Sequence, residues 1–382
     1  MTTHLREAVV DLAAIRSNAA LLVQRSAPAQ MMAVVKADAY GHGLVPVARA
    51  VVDGGAAWLG TALLSEALTL RSAGITVPTL AWLHGPGEPF DQAIRADVDV
   101  TVAAPWALTE VVAAAGEVGR PARIHLKVDT GLGRGGAPVA DWADLVDLAR
   151  KAEIDGLVEV VGIWSHLAYA DAPGHPTIDR QLEVFGQALA AVDAAGLRPQ
   201  VRHLANSAAT LTRPDTHFEL TRPGLALYGL SPIPARASAA ELGLRPAMSL
   251  RARLILVKDV PAGQGVSYLH RYVTSRPTTL GLVPLGYADG IPRDASNIGP
   301  VQVAGRRRTI AGTVCMDQFV VDLDADPAVE GDEVLVFGPG DDGEPTVDDW
   351  ATALDTISYE IVTRVGPRVV RRHENELPGQ ER

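Results

Sequence analysis

Only four lysines, Lys36, Lys127, Lys151 and Lys258, stand among the 34 Lys and Arg of this 382-residue chain. Arg serves nearly everywhere else that a cation is used. Arg stays protonated and is a poor nucleophile, whereas a Lys amine can lose its proton and condense with a carbonyl. Lys36 ends an apolar run inside MMAVVKADAYGHG. That pattern reads as a buried strand delivering an amine into a glycine-rich loop, with Tyr40 and His42 just beyond.

Four more segments end in polar side chains. HLKVDTGLGR presents Lys127, Asp129, Thr130 and Arg134, and GIWSH presents Ser165 and His166. VRHLANS presents Asn206 and Ser207, and TRPGL presents Arg222 just ahead of Gly224 and Leu225. The set holds an amine for a covalent link, a hydroxyl and backbone amides for a phosphate, and a fixed cation in Arg222. Those are the parts that a pyridoxal 5'-phosphate site needs. The sequence has no HExxH, no CxxC, no carboxylates at metal spacing, no Walker loop and no GxSxG elbow. No metal site is therefore expected.

Elements that would position these residues follow from the apolar pattern. Between Met31 and Leu230 strand-like runs alternate with amphipathic ones. The strand candidates are MMAVVK, AAWLGTA, PTLAWL, DVTVA, ARIHLKV, LVEVVGIWSH, VRHLAN and LALYG. Asp11 is placed to cap a helix that buries Leu12, Ile15, Ala19 and Leu22. A second helix carries Ile178, Leu182, Phe185, Leu189 and Val192 on one face and stops near Gly196. Eight strands alternating with helices indicate a parallel (β/α)8 TIM barrel with its reactive residues at the C-terminal strand ends. The first strand lacks a following GxGxxG, which argues against an open doubly wound sheet.

Beyond Arg236 the texture becomes mostly β, with one short helix at TVDDWATAL. The expected division is an α/β barrel over 8–236 and a β-rich domain over 237–382, joined by the strand-like stretch at 1–10. A net charge of -11 disfavours nucleic acid and anionic membranes as partners, and the single Cys315 rules out an internal disulfide framework. The N-terminus has no apolar signal region, and the longest uncharged stretch is broken by Gly and Pro. A soluble cytoplasmic protein is expected.

Over nearly its whole length the chain resembles the alanine racemase family. The resemblance rests on AVVKADAYGHG, HLKVDTGLGRGG, GIWSHLAYAD, ANSAA, TRPGLALYG, GVSYLHRY, GYADGIPR, GTVCMDQFVVD and TISYEI, in that order. It implies a pyridoxal-phosphate-dependent isomerase that interconverts L- and D-alanine and supplies D-alanine for cell-wall peptidoglycan. It also implies a head-to-tail homodimer with shared active sites. Lys36 would hold the cofactor and act as base on one face of the substrate, and Tyr268 would act on the other face, in the partner's active site. Tyr40, Ser207, Tyr359 and the amides of Gly224 and Leu225 would hold the phosphate, with Asn206 beside them. Arg222 would face the ring nitrogen, with His166 between Arg222 and Tyr268. Arg134 and the backbone at Met316 would meet the substrate carboxylate. Lys127 matches a Lys that many members carry as a carbamate, and Tyr287 would line the substrate access path.

The chemistry is consistent with those roles. Inverting an α-carbon is served by two bases on opposite faces. Both an amine and a phenol need a shifted pKa to act near neutrality. Arg222 can only donate, so a ring nitrogen facing it stays unprotonated. That weaker electron sink favours return of the proton to the same carbon. A decarboxylase of similar architecture would carry Glu there. The alternatives are a racemase acting on serine or larger amino acids, or a non-catalytic pyridoxal phosphate carrier, which would lack the β domain. Two positions depart from the family pattern: Leu269 where Gly is common, and Leu132 where Met is usual.

Overall fold

The computed structural model describes residues 4–377. The outer ends of the two expected spans, 1–3 and 378–382, lie outside the described residues. Seven of the expected barrel strands form where the apolar runs place them: Gln30–Val34, Trp58–Thr61, Thr79–Ala81, Asp99–Val102, Ala122–Lys127, Val158–Trp164 and Val201–His203. Each pairs in parallel with its sequence neighbour.

The eighth strand is a correction. It is Leu220–Thr221, which pairs in parallel with Gln30–Val34, and not LALYG. Pro223 has no amide hydrogen to continue a ladder. Leu225–Tyr228 turns instead as a 3-10 helix with all four side chains buried. A short apolar run fits either outcome when only burial is selected. Closure falls at Arg222, whose amide donates to the Ala205 carbonyl at 2.8 Å.

Asp11 caps Leu12–Ser26 by accepting from the amides of Ala13 and Ala14. Leu12, Ile15, Ala19 and Leu22 of that helix are buried. In Pro176–Ala194 the fully buried line is Ile178, Gln181, Phe185, Ala188 and Val192, while Leu182 and Leu189 pack at its edge.

The strand Arg6–Asp11 pairs antiparallel with Met248–Arg253 and in parallel with Val370–Glu374, at the edge region of a six-stranded sheet. A three-stranded sheet, Leu256–Val260, Thr278–Val283 and Phe319–Asp324, packs beside it. The expected helix forms at Val347–Ala353 with a capping box at Thr346 and Asp349. A second short helix, Ser358–Thr363, stands where none was expected. Val35, Tyr40, Leu227, Leu250, Val336 and Val362 share one apolar core, so the barrel and the β-rich sheets are packed together.

Candidate active site

After Lys36 the backbone makes a left-handed turn. Ala37, Asp38, Ala39 and Tyr40 take φ of 55, 53, 52 and 54°. For residues with a Cβ this costs roughly 1–2 kcal/mol each, so the surroundings must hold it. Glu66 accepts from the Ala37 amide at 2.6 Å, and Asp38 accepts from the Leu44 amide at 2.8 Å. His42 Nδ1 bridges the carbonyls of Ala39 and Tyr40 at 3.1 and 3.0 Å. Burial lowers His42 to about 4, which keeps the ring neutral. His42 therefore supports the turn that carries Tyr40.

That turn sends the Tyr40 hydroxyl toward Gly224, where a Cβ would stand 2.3 Å from it. Ser207 Oγ accepts from the amides of Gly224 at 2.7 Å and Ala226 at 3.3 Å. The Tyr359 ring lies 6.0 Å from Tyr40, brought there by the Ser358–Thr363 helix. Burial, and secondarily Asp171, pushes the Tyr359 phenol up to about 12, so it stays a donor. Asn206 caps the following turn through the Ala209 amide and bridges in parallel to Arg222. Tyr40, Asn206, Ser207, Gly224, Leu225 and Tyr359 thus lie close together, and only Gly at 224 lets the Tyr40 hydroxyl approach so near.

A second group is cationic. Burial lowers the Lys36 amine below its ordinary value, and the charge of Arg134 lowers it further. Lys127 falls to about 8 through burial and the charges of Arg222 and Arg134. Its Nζ stands 4.3 Å from the centroid of the Trp164 ring. Lys127 has no salt bridge among the described residues. Asp129, the nearest candidate, accepts instead from the amides of Gly131, Leu132 and Gly133 and so shapes the loop to Arg134. Leu132 contributes its amide to that turn, which a Met would do equally.

Arg222 is buried at the seam, and burial lowers it to about 9. Its guanidinium donates to the carbonyls of Ser165 at 2.8 Å and Leu204 at 3.2 Å. It also reaches His203 Nδ1 at 3.1 Å and His166 Nδ1 at 3.3 Å. Burial, and then Arg222, hold His166 well below its ordinary value, so it is a neutral acceptor at Nδ1. Sequence reasoning missed Trp164, Glu66 and His203. His203 carried a signal: a polar residue at an inward position of a strand whose two faces are both covered.

The third group lies elsewhere in the chain. Tyr268 is 70% exposed and Leu269 74% exposed, in a loop of the β-rich part. Thr313 Oγ1 donates to the Tyr268 carbonyl at 2.8 Å, and Ser267 Oγ donates to the Thr313 carbonyl at 2.7 Å. The amides of Tyr287 and Ala288 donate to the carbonyls of Cys315 and Met316, both at 3.0 Å. Tyr268, Tyr287 and Met316 therefore share one exposed edge, and among the described residues no hydrogen bond joins Tyr268 to Lys36 or to the barrel rim. Leu269 has φ +63°. Gly would occupy that conformation without strain, so Leu there costs roughly 1 kcal/mol.

The residues present fit a pyridoxal phosphate: an amine with a lowered pKa, a cluster of hydroxyls and backbone amides, and a buried guanidinium that only donates. Fold and rim define a barrel enzyme of the α/β class whose rim gathers Lys36, Lys127, Arg134 and Arg222, a set complementary to an anion. The sequence pattern of the alanine racemase N-terminal domain matches residues 10–232, and that of the C-terminal domain matches 247–373. The alanine racemase of Frankia casuarinae is 61% identical, covering 96% of this chain and 95% of that one. That of Mycolicibacterium smegmatis is 51% identical, covering 96% and 94%. The crystal structure of alanine racemase from D-cycloserine-producing Streptomyces lavendulae superposes with a TM-score of 0.99 at 56% identity, covering 100% of both chains. The chain belongs to the alanine racemase family.

Proposed function

We propose that this protein racemises alanine with pyridoxal 5'-phosphate, as a cytoplasmic homodimer that supplies D-alanine for peptidoglycan. No helix among the described residues is long and apolar enough to cross a membrane. The observation that carries the reading is Arg222, a buried guanidinium bonded only to acceptors at the barrel seam.

Bound pyridoxal phosphate supplies an electron sink that acidifies the α-proton of an amino acid. This chain's residues do the rest. Lys36 holds the cofactor and moves a proton on one face, its amine predisposed to lose its charge by burial and Arg134. Tyr40, Ser207, Tyr359 and the amides of Gly224 and Leu225 bind the phosphate, beside Asn206. Arg222 leaves the ring nitrogen without a proton source, because a guanidinium has no acceptor and keeps its own protons. Arg134 orients the substrate carboxylate, and Lys127 as a carbamate would pair with Arg134 and offset the local positive charge.

The second base must come from another chain. Tyr268 of the partner subunit would complete the site, together with Tyr287 and the Met316 backbone from the same edge. Their exposure, and the lack of a hydrogen bond from Tyr268 to the rim among the described residues, support that arrangement. His166, a neutral acceptor from Arg222 at Nδ1, carries its own proton on Nε2 and can donate to a tyrosinate.

The test starts from each enantiomer of alanine, with cofactor added, and follows both to equilibrium. Convergence on a 1:1 mixture is expected, and no conversion would overturn the proposal. Tyr268→Phe should lower kcat by about 10²–10⁴-fold while leaving the cofactor chromophore in place. Unchanged racemisation would remove Tyr268 from the role of second base. Serine run in parallel measures how strictly the site selects alanine.

A further inference from the structure

A line of buried polar groups runs from Arg222 through the barrel interior. Arg222 Nη1 meets His203 Nδ1 at 3.1 Å, and His203 Nε2 meets His125 Nδ1 at 2.9 Å. His125 Nε2 meets Asp99 Oδ2 at 3.1 Å. Arg123 donates to Asp99 Oδ1 at 2.7 Å and to Glu159 at 3.2 Å, where the line reaches solvent. His125, His203 and Asp99 are all but inaccessible to water. The interior is shaped for them. A Cβ at Gly162 would stand 2.3 Å from His125 Nδ1, and the Trp164 ring stacks on His203 at 5.5 Å.

The donor direction along this line is set from both ends, by Arg222, which only donates, and by the Asp99 carboxylate, which only accepts. A guanidinium never accepts, so His203 Nδ1 must accept and its proton sits on Nε2. That proton points at His125 Nδ1, which must accept in turn. His125 therefore also carries its proton on Nε2 and donates it to Asp99. Every group is satisfied in one direction only, with both rings neutral. In the reverse sense His203 Nδ1–H would face an Arg222 N–H, and two buried donors would oppose each other.

We propose that Asp99 and His125 are positioning residues for the reaction: through His203 they lock the acceptor that orients Arg222 toward the cofactor ring nitrogen. This rests on the reading of Arg222 given above. None of the three touches substrate or cofactor. Their effect is exerted on the tautomer at the far end of the line. Asp99 serves as the fixed acceptor because the Arg123 fork holds both of its oxygens, Oδ1 at 2.7 Å and, more weakly, Oδ2 at 3.3 Å. Asn at this position has one acceptor oxygen, which the charged Arg123 claims. The amide NH₂ then faces His125 Nε2; moving both histidine protons to Nδ1 relieves that clash and transfers it to Arg222, which loses its acceptor on His203.

The experiment is nitrogen NMR of the holoenzyme with ¹⁵N-labelled histidine, in wild type and Asp99→Asn. Wild-type His125 and His203 are expected neutral, with the proton on Nε2. A proton on Nδ1 of His203, or a doubly protonated His125, would overturn the proposal. In Asp99→Asn both protons should move to Nδ1. There kcat for alanine should fall about tenfold with KM within about twofold, since Arg134 is untouched. Unchanged tautomers, or shifted tautomers with unchanged kcat, would also overturn it. If Asp99→Asn does not fold, the wild-type spectrum alone decides. The tautomer reading needs no turnover, so its failure is distinct from failure of the racemisation assay.

Discussion

Two regions of this molecule use cations in opposite ways. Where Arg6–Asp11 joins the β-rich sheets, four arginines meet carboxylates. Arg372 and Arg251 converge on Glu7 at 3.0 and 3.3 Å. Arg6 and Arg368 converge on the buried Asp289 at 3.4 and 3.3 Å. At the barrel rim, Lys36, Lys127, Arg134 and Arg222 gather with no salt bridge among the described residues, and burial, then their mutual repulsion, lowers Lys36 and Lys127. Paired charges hold elements together. Unpaired ones cost stability and leave the rim complementary to an incoming anion, a phosphate or a carboxylate.

The largest expected effect breaks the rim. Lys36→Ala should reduce racemisation by about 10⁴-fold, the upper end of what one positioned acid–base group contributes. It should also abolish the chromophore that survives borohydride reduction and dialysis. Persistence of that fixed chromophore would move the covalent link to another residue. The paired region is tested by Asp289→Ala, which leaves Arg6 and Arg368 without their shared partner. Its unfolding free energy should drop by about 3 kcal/mol in urea. A drop under about 1 kcal/mol would mean that the pairs at this junction do not hold the elements together.

The smallest effect sharpens the contrast through pH. In the folded rim Lys127 titrates near 8, below its ordinary 10.5. The unfolded chain binds the extra proton between those values, so stability rises with pH across that window. Lys127→Met removes the penalty. Measured on cofactor-free protein in CO₂-free buffer, the variant should unfold later than wild type below pH 8. That gain should vanish as pH approaches 10.5. A gain independent of pH would locate the effect in packing against Trp164 and not in charge.

Much of the site was legible along the chain because chemistry constrains residue type. The scarcity of Lys made Lys36 and Lys127 visible, and the strand ends at Arg134, His166, Ser207 and Arg222 stood out as polar groups closing apolar runs. Leu269 was visible as a departure, but the reason it matters, a φ of +63°, is a property of the folded loop. His125 and Asp99 were passed over. Arg123, His125 and Lys127 alternate on one strand, yet the sequence does not say which face of that strand looks into the barrel.

By itself, then, the sequence determined the order of elements, the barrel with its β-rich companion, and the inventory of reactive groups. Those are written in local periodicity and residue type. Tertiary structure alone decided that Leu220–Thr221 fills the eighth slot, that four residues after Lys36 coil left-handed, and that Tyr268 is exposed. It also decided that His203, His125 and Asp99 meet. Each depends on which distant strands become neighbours and in what register, and a one-residue slip would turn His125 from the barrel interior to the helices.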